Sequence, residues 1–141
     1  MFIKEDDEID IVLYYTKKDR TYEAISEKEF LALELSEEDT KRYSSLKLTM
    51  RELTWGLYND IQETAMVDDG RGIGERVFSF KVYKETRLRA LIKKWDAKDK
   101  DGKPVPVSDK TLYNLAPSIG ESILLIYDSF SFLGEGEEKN W

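Results

Sequence analysis

The sequence contains no cysteine and no histidine among its 141 residues. The lack of cysteine excludes disulfides, thiolate catalysis and cysteine-based zinc sites. The lack of histidine removes the commonest general base, the usual catalytic triads and most transition-metal sites. Carboxylates, lysines, tyrosines and serines are what is left for catalysis. We therefore expect a protein that is not an enzyme and that has no cofactor and no metal site.

Long hydrophobic runs are also missing. The longest apolar runs cover residues 11–15 and 123–127, whereas a helix that spans a bilayer needs roughly 20 apolar residues. Residues 1–10 are acidic and lack the apolar centre of a secretion signal. We therefore expect neither secretion nor membrane contact. A chain of this length fits one domain, or one domain with a small appendage.

The net charge of −7 is distributed unevenly. Residues 1–45 hold 13 acids and 7 bases, residues 46–110 hold 11 acids and 14 bases, and residues 111–141 hold 5 acids and 1 base. An acidic total disfavours nucleic acid as a partner, because phosphate contacts dominate that affinity. The basic middle keeps nucleic acid open only as a low-ranking alternative.

The N-terminal part is predicted to form strands. Residues 9–15 (IDIVLYY) are β-branched and aromatic, and residues 21–25 favour the returning strand of a hairpin. Ser26 and Glu29 then have the spacing of a capping box. Residues 43–48 are typical of a short third strand. We assign residues 1–45 to an acidic β-hairpin region.

The second half is predicted to be mainly helical. Thr49 and Glu52 indicate a capping box, because apolar residues recur after them at spacings of three and four. This first helix is expected to end before the glycine-rich residues 68–75. A second helix is expected over residues 77–95, where the basic side chains lie.

Two shorter signals complete the helical part. Ser108 or Asp109 is a suitable cap for a short helix, and Pro117 suits the first position of a last helix. The predicted fold class is α+β, with an N-terminal β-hairpin or small sheet and a C-terminal bundle of three to four helices. We assign residues 46–133 to the helical domain and residues 134–141 to a flexible acidic tail. The expected core consists of Leu53, Leu57, Ile61, Phe80, Leu88, Leu91, Ile92, Trp95, Leu112, Leu115, Ile123 and Ile126.

Three motifs suggest a ligand, and each is better explained as a surface feature. Residues 99–102 resemble part of a calcium loop, but alignment of Gly102 to the loop glycine leaves Ala97 and Ser108 where two ligands are needed. The three glycines of residues 68–75 are not followed by the lysine and hydroxyl of a phosphate loop. The acidic clusters at 37–39 and 68–69 lack histidine and an apolar pocket, which favours simple solvation.

The second predicted helix concentrates positive charge, and two interpretations stay open. The cationic residues there are Lys81, Lys84, Arg87, Arg89, Lys93 and Lys94. They are either a solvated helix face or a patch that meets an acidic partner, including the acidic ends of another copy of the chain.

Three surfaces compete as the docking site for a partner. One is the glycine-rich loop with Arg71, one is the basic helix side, and one is the acidic tail with Trp141. We favour the basic side, with Lys81, Lys84 and Arg87 as its charged residues and Tyr83 as its anchor.

A family resemblance supports a binding role. Residues 83–127 read YKETRLRALIKKWDAKDKDGKPVPVSDKTLYNLAPSIGESILLIY. A helix that ends in an isoleucine and a tryptophan leads to a charged turn with Asp-Gly-Lys-Pro, a short leucine-bearing helix and a last amphipathic helix. This order resembles the tail assembly chaperones and related small tail proteins of long-tailed bacteriophages. The resemblance extends loosely over residues 46–130.

The resemblance implies a function, partners and a location. It implies a chaperone of tail assembly that works in the host cytoplasm and binds the tape-measure protein, the tail tube protein or both, with self-association as a further expectation. The alternative is a structural particle component, such as a neck, tail-completion or baseplate subunit, located in the virion. A small amphipathic protein can cover the apolar stripes of a long helical partner by helix-in-groove packing.

Overall fold

The computed structural model describes residues 1–72 and 74–130. Its strands are β1 (Glu8–Lys18), β2 (Thr21–Ser26), β3 (Ser44–Arg51), β4 (Met66–Asp68), β5 (Arg76–Phe78) and β6 (Ile92–Trp95). Its helices are α1 (Glu27–Ala32), α2 (Glu37–Thr40), α3 (Trp55–Thr64), α4 (Phe80–Leu91), α5 (Asp109–Tyr113) and α6 (Pro117–Phe130). The α+β class predicted from the sequence is confirmed.

The main sheet is antiparallel, with strand order β2-β1-β3-β6. Side chains alternate along β1, so that Ile11 and Leu13 are fully buried while Asp10 is exposed. In β3, Leu46, Leu48 and Met50 bury the same face of the sheet. The hairpin predicted from residues 9–25 is confirmed, with Tyr15 opposite Ala24 in the register.

The core lies between this sheet and the last helix. Helix α6 packs on β1 and β2, and α4 packs beside it against β3. Ile123 and Tyr127 of α6 are completely buried, and so is Leu91 of α4. The sequence explains this packing because the apolar residues of α6 share one helical face. The predicted start of this helix at Pro117 is confirmed.

The other face of the sheet is covered only in part. Phe30 of α1 stacks on Tyr14 with ring centroids 3.9 Å apart, and it meets Tyr43 edge to face at 5.3 Å. The capping box predicted at Ser26 and Glu29 is present. It sets the start of α1, which brings Phe30 over the sheet.

The predicted helix start at Thr49 is wrong. Residues 44–51 form β3, because the alternating Leu46, Leu48 and Met50 pair with β1 and face the core. Helix α3 begins later, and Thr54 is its cap, with its hydroxyl accepting a hydrogen bond from the Leu57 amide at 3.1 Å. The expected domain boundary after residue 45 therefore falls inside a strand of the main sheet.

The predicted second helix is too long at both ends. Residues 76–78 form β5, which pairs with β4 around the glycine-rich turn. Residues 92–95 form β6, because Ile92 pairs with Met50 and Trp95 pairs with Leu48. Of the expected core residues, Phe80 is an error: it is 71% exposed at the first position of α4.

Most of the other expected core residues do contribute to the core. Leu53, Ile61, Leu88, Leu91, Ile92, Ile123 and Ile126 are buried. Leu57, Trp95, Leu112 and Leu115 are half-buried and pack against that cluster. None of the helices in the described part of the chain is long and apolar enough to cross a membrane.

A candidate protein-binding surface

The first turn of α4 presents exposed aromatic side chains. Ser79 caps the helix, with its hydroxyl accepting a hydrogen bond from the Val82 amide at 3.2 Å. This start leaves the Phe80 ring outside the core, 5.1 Å from the ring of Phe78 in β5. The Phe78 ring also lies 5.2 Å from the ring of Tyr83, one turn further along α4. Three aromatic rings thus form one contiguous cluster.

The cluster continues along α3 towards the N-terminal residues. Helix α3 packs against α4, and Tyr58 of α3 is half-buried, as Tyr83 of α4 is. Tyr58 also lines a shallow cavity of about 560 Å³ together with Trp55, Phe2 and neighbouring apolar residues. Trp55 is 82% exposed and Phe2 is 94% exposed. We call the surface made by Phe2, Trp55, Tyr58, Phe78, Phe80 and Tyr83 the aromatic strip.

Arg87 fixes the position of Tyr83. It is buried, and it forms a bidentate ion pair with Asp128 of α6. The guanidinium lies over the Tyr83 ring, 5.3 Å from its centroid, which is a cation–π geometry. Burial raises the pKa of Tyr83, and the positive charge of Arg87 opposes part of that rise. Arg87 therefore supports the Tyr83 ring from a buried position. The prediction that Arg87 lies on the solvated side of the helix is wrong.

The other basic residues of the predicted second helix, which now lie in α4 and β6, are mostly held in ion pairs. Lys84 Nζ lies 2.6 Å from Glu121, and Arg89 Nε lies 2.7 Å from Asp109. Lys81 Nζ is 3.1 Å from Glu85 one turn along the helix, and Lys93 Nζ is 2.6 Å from Glu8. The concentration of charge seen in the sequence is therefore largely neutralised in the fold. The apolar strip, and not the charge, is what distinguishes this side of the molecule.

The remaining predicted site residues lie elsewhere. Arg71 is in the turn between β4 and β5, where its amide donates to Asp69 at 2.9 Å and its guanidinium lies 3.8 Å from the same carboxylate. Gly70, Gly72 and Gly74 adopt positive φ angles of 79°, 73° and 78°. Trp141 and the acidic tail lie outside the described residues.

Sequence reasoning missed five residues of the strip. Trp55 and Tyr58 looked like flanks of a longer helix, and Phe80 looked like core. Phe78 and Phe2 carried no periodic signal. The signal that identifies Trp55 is Thr54, because a cap at that position places the next residue in the first, outward-facing turn. The structure thus brings Tyr83, Lys81 and Lys84 of the prediction together with aromatic residues that the prediction left out.

Tyr127 supplies a buried polar contact beneath the surface. Its hydroxyl donates a hydrogen bond to the backbone oxygen of Arg51 at 2.8 Å, which ties α6 to the end of β3. Burial raises the pKa of Tyr127 from 10.0 to about 12. The native state therefore holds the protonated hydroxyl more strongly than the unfolded state does.

This shift predicts a defined pH dependence. The stabilisation from Tyr127 is present below pH 10 and is lost as the pH rises towards 12. We expect Tyr127→Phe to lower the free energy of unfolding by about 1–2 kcal/mol near neutral pH, because the Arg51 carbonyl loses its donor. Urea unfolding should show that the difference in free energy of unfolding between the parent and Tyr127→Phe becomes smaller between pH 10 and 12. A difference that stays constant across that range would contradict the role given to the Tyr127 hydroxyl.

Comparison of the chain with models of known protein families gives no match, and no curated protein or solved structure matches it with significant similarity.

Proposed function

We propose that the protein is a non-enzymatic tail assembly chaperone of a long-tailed bacteriophage. In this proposal it acts in the host cytoplasm. It binds the tape-measure protein, the tail tube protein or both through the aromatic strip. The observation that carries the proposal is the exposure of Trp55 and Phe80 in the first turns of α3 and α4, with the Phe80 ring in a cluster with Phe78 and Tyr83. Exposed apolar patches of this kind mark sites of protein–protein contact.

The shape of the strip suits a helical partner. It takes Trp55 and Tyr58 from the first turn of α3 and Phe80 and Tyr83 from the first turn of α4. A partner helix buries apolar residues at spacings of three and four, so an elongated apolar surface matches it better than a compact pocket does. A long helical protein that is not yet enclosed by its tube exposes such stripes.

The lysines beside the strip give the surface a polar rim. Lys81 and Lys84 have side chains that are 77% and 47% exposed, and each already has a glutamate partner. Exposed ion pairs contribute little to stability. Acidic side chains of a partner can therefore replace Glu85 and Glu121 at small cost. We expect these lysines to influence the association rate and selectivity, while the aromatic rings supply the affinity.

Co-expression with the long tail protein encoded beside it tests the proposal. The tagged chain should retain that protein, and Lys81→Glu with Lys84→Glu should reduce retention at low salt while the fold is kept. High salt should reduce the difference in retention between the parent chain and the double lysine variant. The double substitution Lys84→Glu and Arg87→Glu is a poor test, because Arg87 is buried.

Two outcomes would remove the proposal. One is retention that neither the lysine substitutions nor loss of the Phe80 ring weakens, since the strip would then not be the contact. The other is the presence of the chain in stoichiometric amount in purified mature particles, which identifies a structural particle component instead.

A further inference from the structure

A second surface lies on the opposite end of the sheet and is built differently. A cavity of about 1100 Å³ opens between the β1–β2 hairpin, the segment after β6, and the start of α6. Its wall is aromatic: Tyr15 and Tyr22 meet edge to face at 6.0 Å, and Trp95 lies across from them. We call this cavity the lysine groove, after Lys98, Lys100 and Lys110, which line it.

These three lysines differ from the basic residues of α4. No ion pair of the described residues includes Lys98, Lys100 or Lys110. A fourth cation, Lys17, lies over the Tyr22 ring at 5.5 Å. The groove is thus the place in the described part of the chain where several uncompensated cations surround an aromatic wall.

The two carboxylates that line the groove are already occupied by backbone amides. Asp96 accepts from the Lys47 amide at 2.8 Å. Asp99 accepts from the amides of Asp101 and Lys103 at 2.8 Å and 3.0 Å, which closes the turn at Gly102. These bonds hold the segment in shape. The three lysines outnumber the two carboxylates in the lining, so the groove keeps a net positive charge.

The wall is also preorganised. The Trp95 indole donates a hydrogen bond to the Val105 carbonyl at 2.6 Å, which holds the segment after β6 against the end of the sheet. A ligand therefore meets a wall that needs little ordering on binding. The chemistry that fits is a chain segment with several carboxylates and one large aromatic ring.

We propose that the lysine groove binds the acidic segment of a second copy of this chain, residues 134–141. That segment reads GEGEEKNW, with three glutamates for the lysines and Trp141 for the aromatic wall. Charge complementarity carries the choice, because the segment is the part of the sequence that combines dense negative charge with a tryptophan.

The segment can come from the same chain or from a second copy. The groove includes Ala116 and Ile119 at the start of α6, whereas the segment follows Phe130 at its end. The 14 residues of α6 extend about 20 Å, and a fully extended chain advances at most about 3.6 Å per residue, so a segment that ends at Trp141 can also reach the groove of its own copy. The average mass of the parent protein therefore decides between the two sources.

A charge-swap experiment on the full chain tests the proposal. One variant carries Lys98→Glu, Lys100→Glu and Lys110→Glu, and the other carries Glu135→Lys, Glu137→Lys and Glu138→Lys. Sedimentation equilibrium measures the average mass as a function of concentration, and circular dichroism checks that each variant is folded. A matched control carries Lys4→Glu, Lys28→Glu and Lys41→Glu, which change the same charge away from the groove.

The expected result is a specific pattern. The parent and the control associate as concentration rises, and high salt weakens that association. Each swap variant alone associates at least about tenfold more weakly. An equimolar mixture of the two regains association, because each then offers the charge that the other lacks. A parent that stays monomeric, or a mixture that associates no better than its separate components, overturns the proposal.

Discussion

Leu91→Ala should lower the free energy of unfolding by about 2–5 kcal/mol. Leu91 is fully buried, in the last turn of α4, and belongs to the cluster that joins this helix to the sheet and to α6. Truncation removes its apolar contacts and leaves a cavity that a sheet on one side and helices on the other cannot easily close.

Leu125→Ala is the matched control for that substitution. Leu125 lies on α6 but is 72% exposed, so the same truncation should change stability by no more than about 0.5 kcal/mol. Urea unfolding followed by tryptophan fluorescence measures both variants. Equal losses in the two proteins would show that the interior of the fold is not where the structure places it.

Arg87→Ala is expected to have the second largest effect, a loss of about 2–4 kcal/mol in unfolding free energy. Its guanidinium is buried and pairs with Asp128, so removal leaves a carboxylate without its main counter-charge. The Asp128 side chain is 32% exposed, and water therefore limits the loss. The Tyr83 ring also loses the cation that lies over it.

A double-mutant cycle separates the ion pair from simple loss of packing. Arg87→Met keeps most of the side-chain volume, and Asp128→Asn keeps the shape of the carboxylate. The coupling between the two substitutions should be about 1–3 kcal/mol. Additive effects would show that the pair contributes no interaction of its own and that Arg87 acts only by filling space.

The parts of the fold that the sequence predicts well are local. The β1–β2 hairpin follows from two short β-branched and aromatic runs beside a polar turn, and the Ser26 cap follows from Glu29 three positions on. Ser108, one of the two caps predicted for the short helix, is the cap of α5. Pro117 marks the start of α6 for the same reason, since its ring suits the first helical turn. Nothing distant in the sequence is needed for these elements.

The parts that failed depend on distant pairing. Residues 49–51 and 92–95 were assigned to helices, whereas pairing with distant strands extends β3 to Arg51 and makes residues 92–95 a strand. The prediction placed the cap of α3 at Thr49 instead of Thr54, and it therefore missed that Trp55 is exposed in the first turn of the helix. It also assigned β6 to the end of a helix.

The binding surface shows the same limit. The positive charge of residues 81–94 was visible in the sequence. Its compensation by Glu121, Asp109 and Glu8 was not visible, because these acidic residues lie in other elements. Phe80 was assigned to the core because its spacing fits the apolar face. In the fold it lies in the first turn, and its ring packs against Phe78.

The affinity of the chain for its proposed partner, the tape-measure protein, measured by titration, tests the central claim most directly. Phe80→Ser and Leu125→Ser form a matched pair, because the two side chains are 71% and 72% exposed and only Phe80 belongs to the aromatic strip. We predict that Phe80→Ser weakens binding at least about tenfold, as expected for a central aromatic contact, and that Leu125→Ser leaves it unchanged. Equal affinity in both variants and the parent would contradict the account.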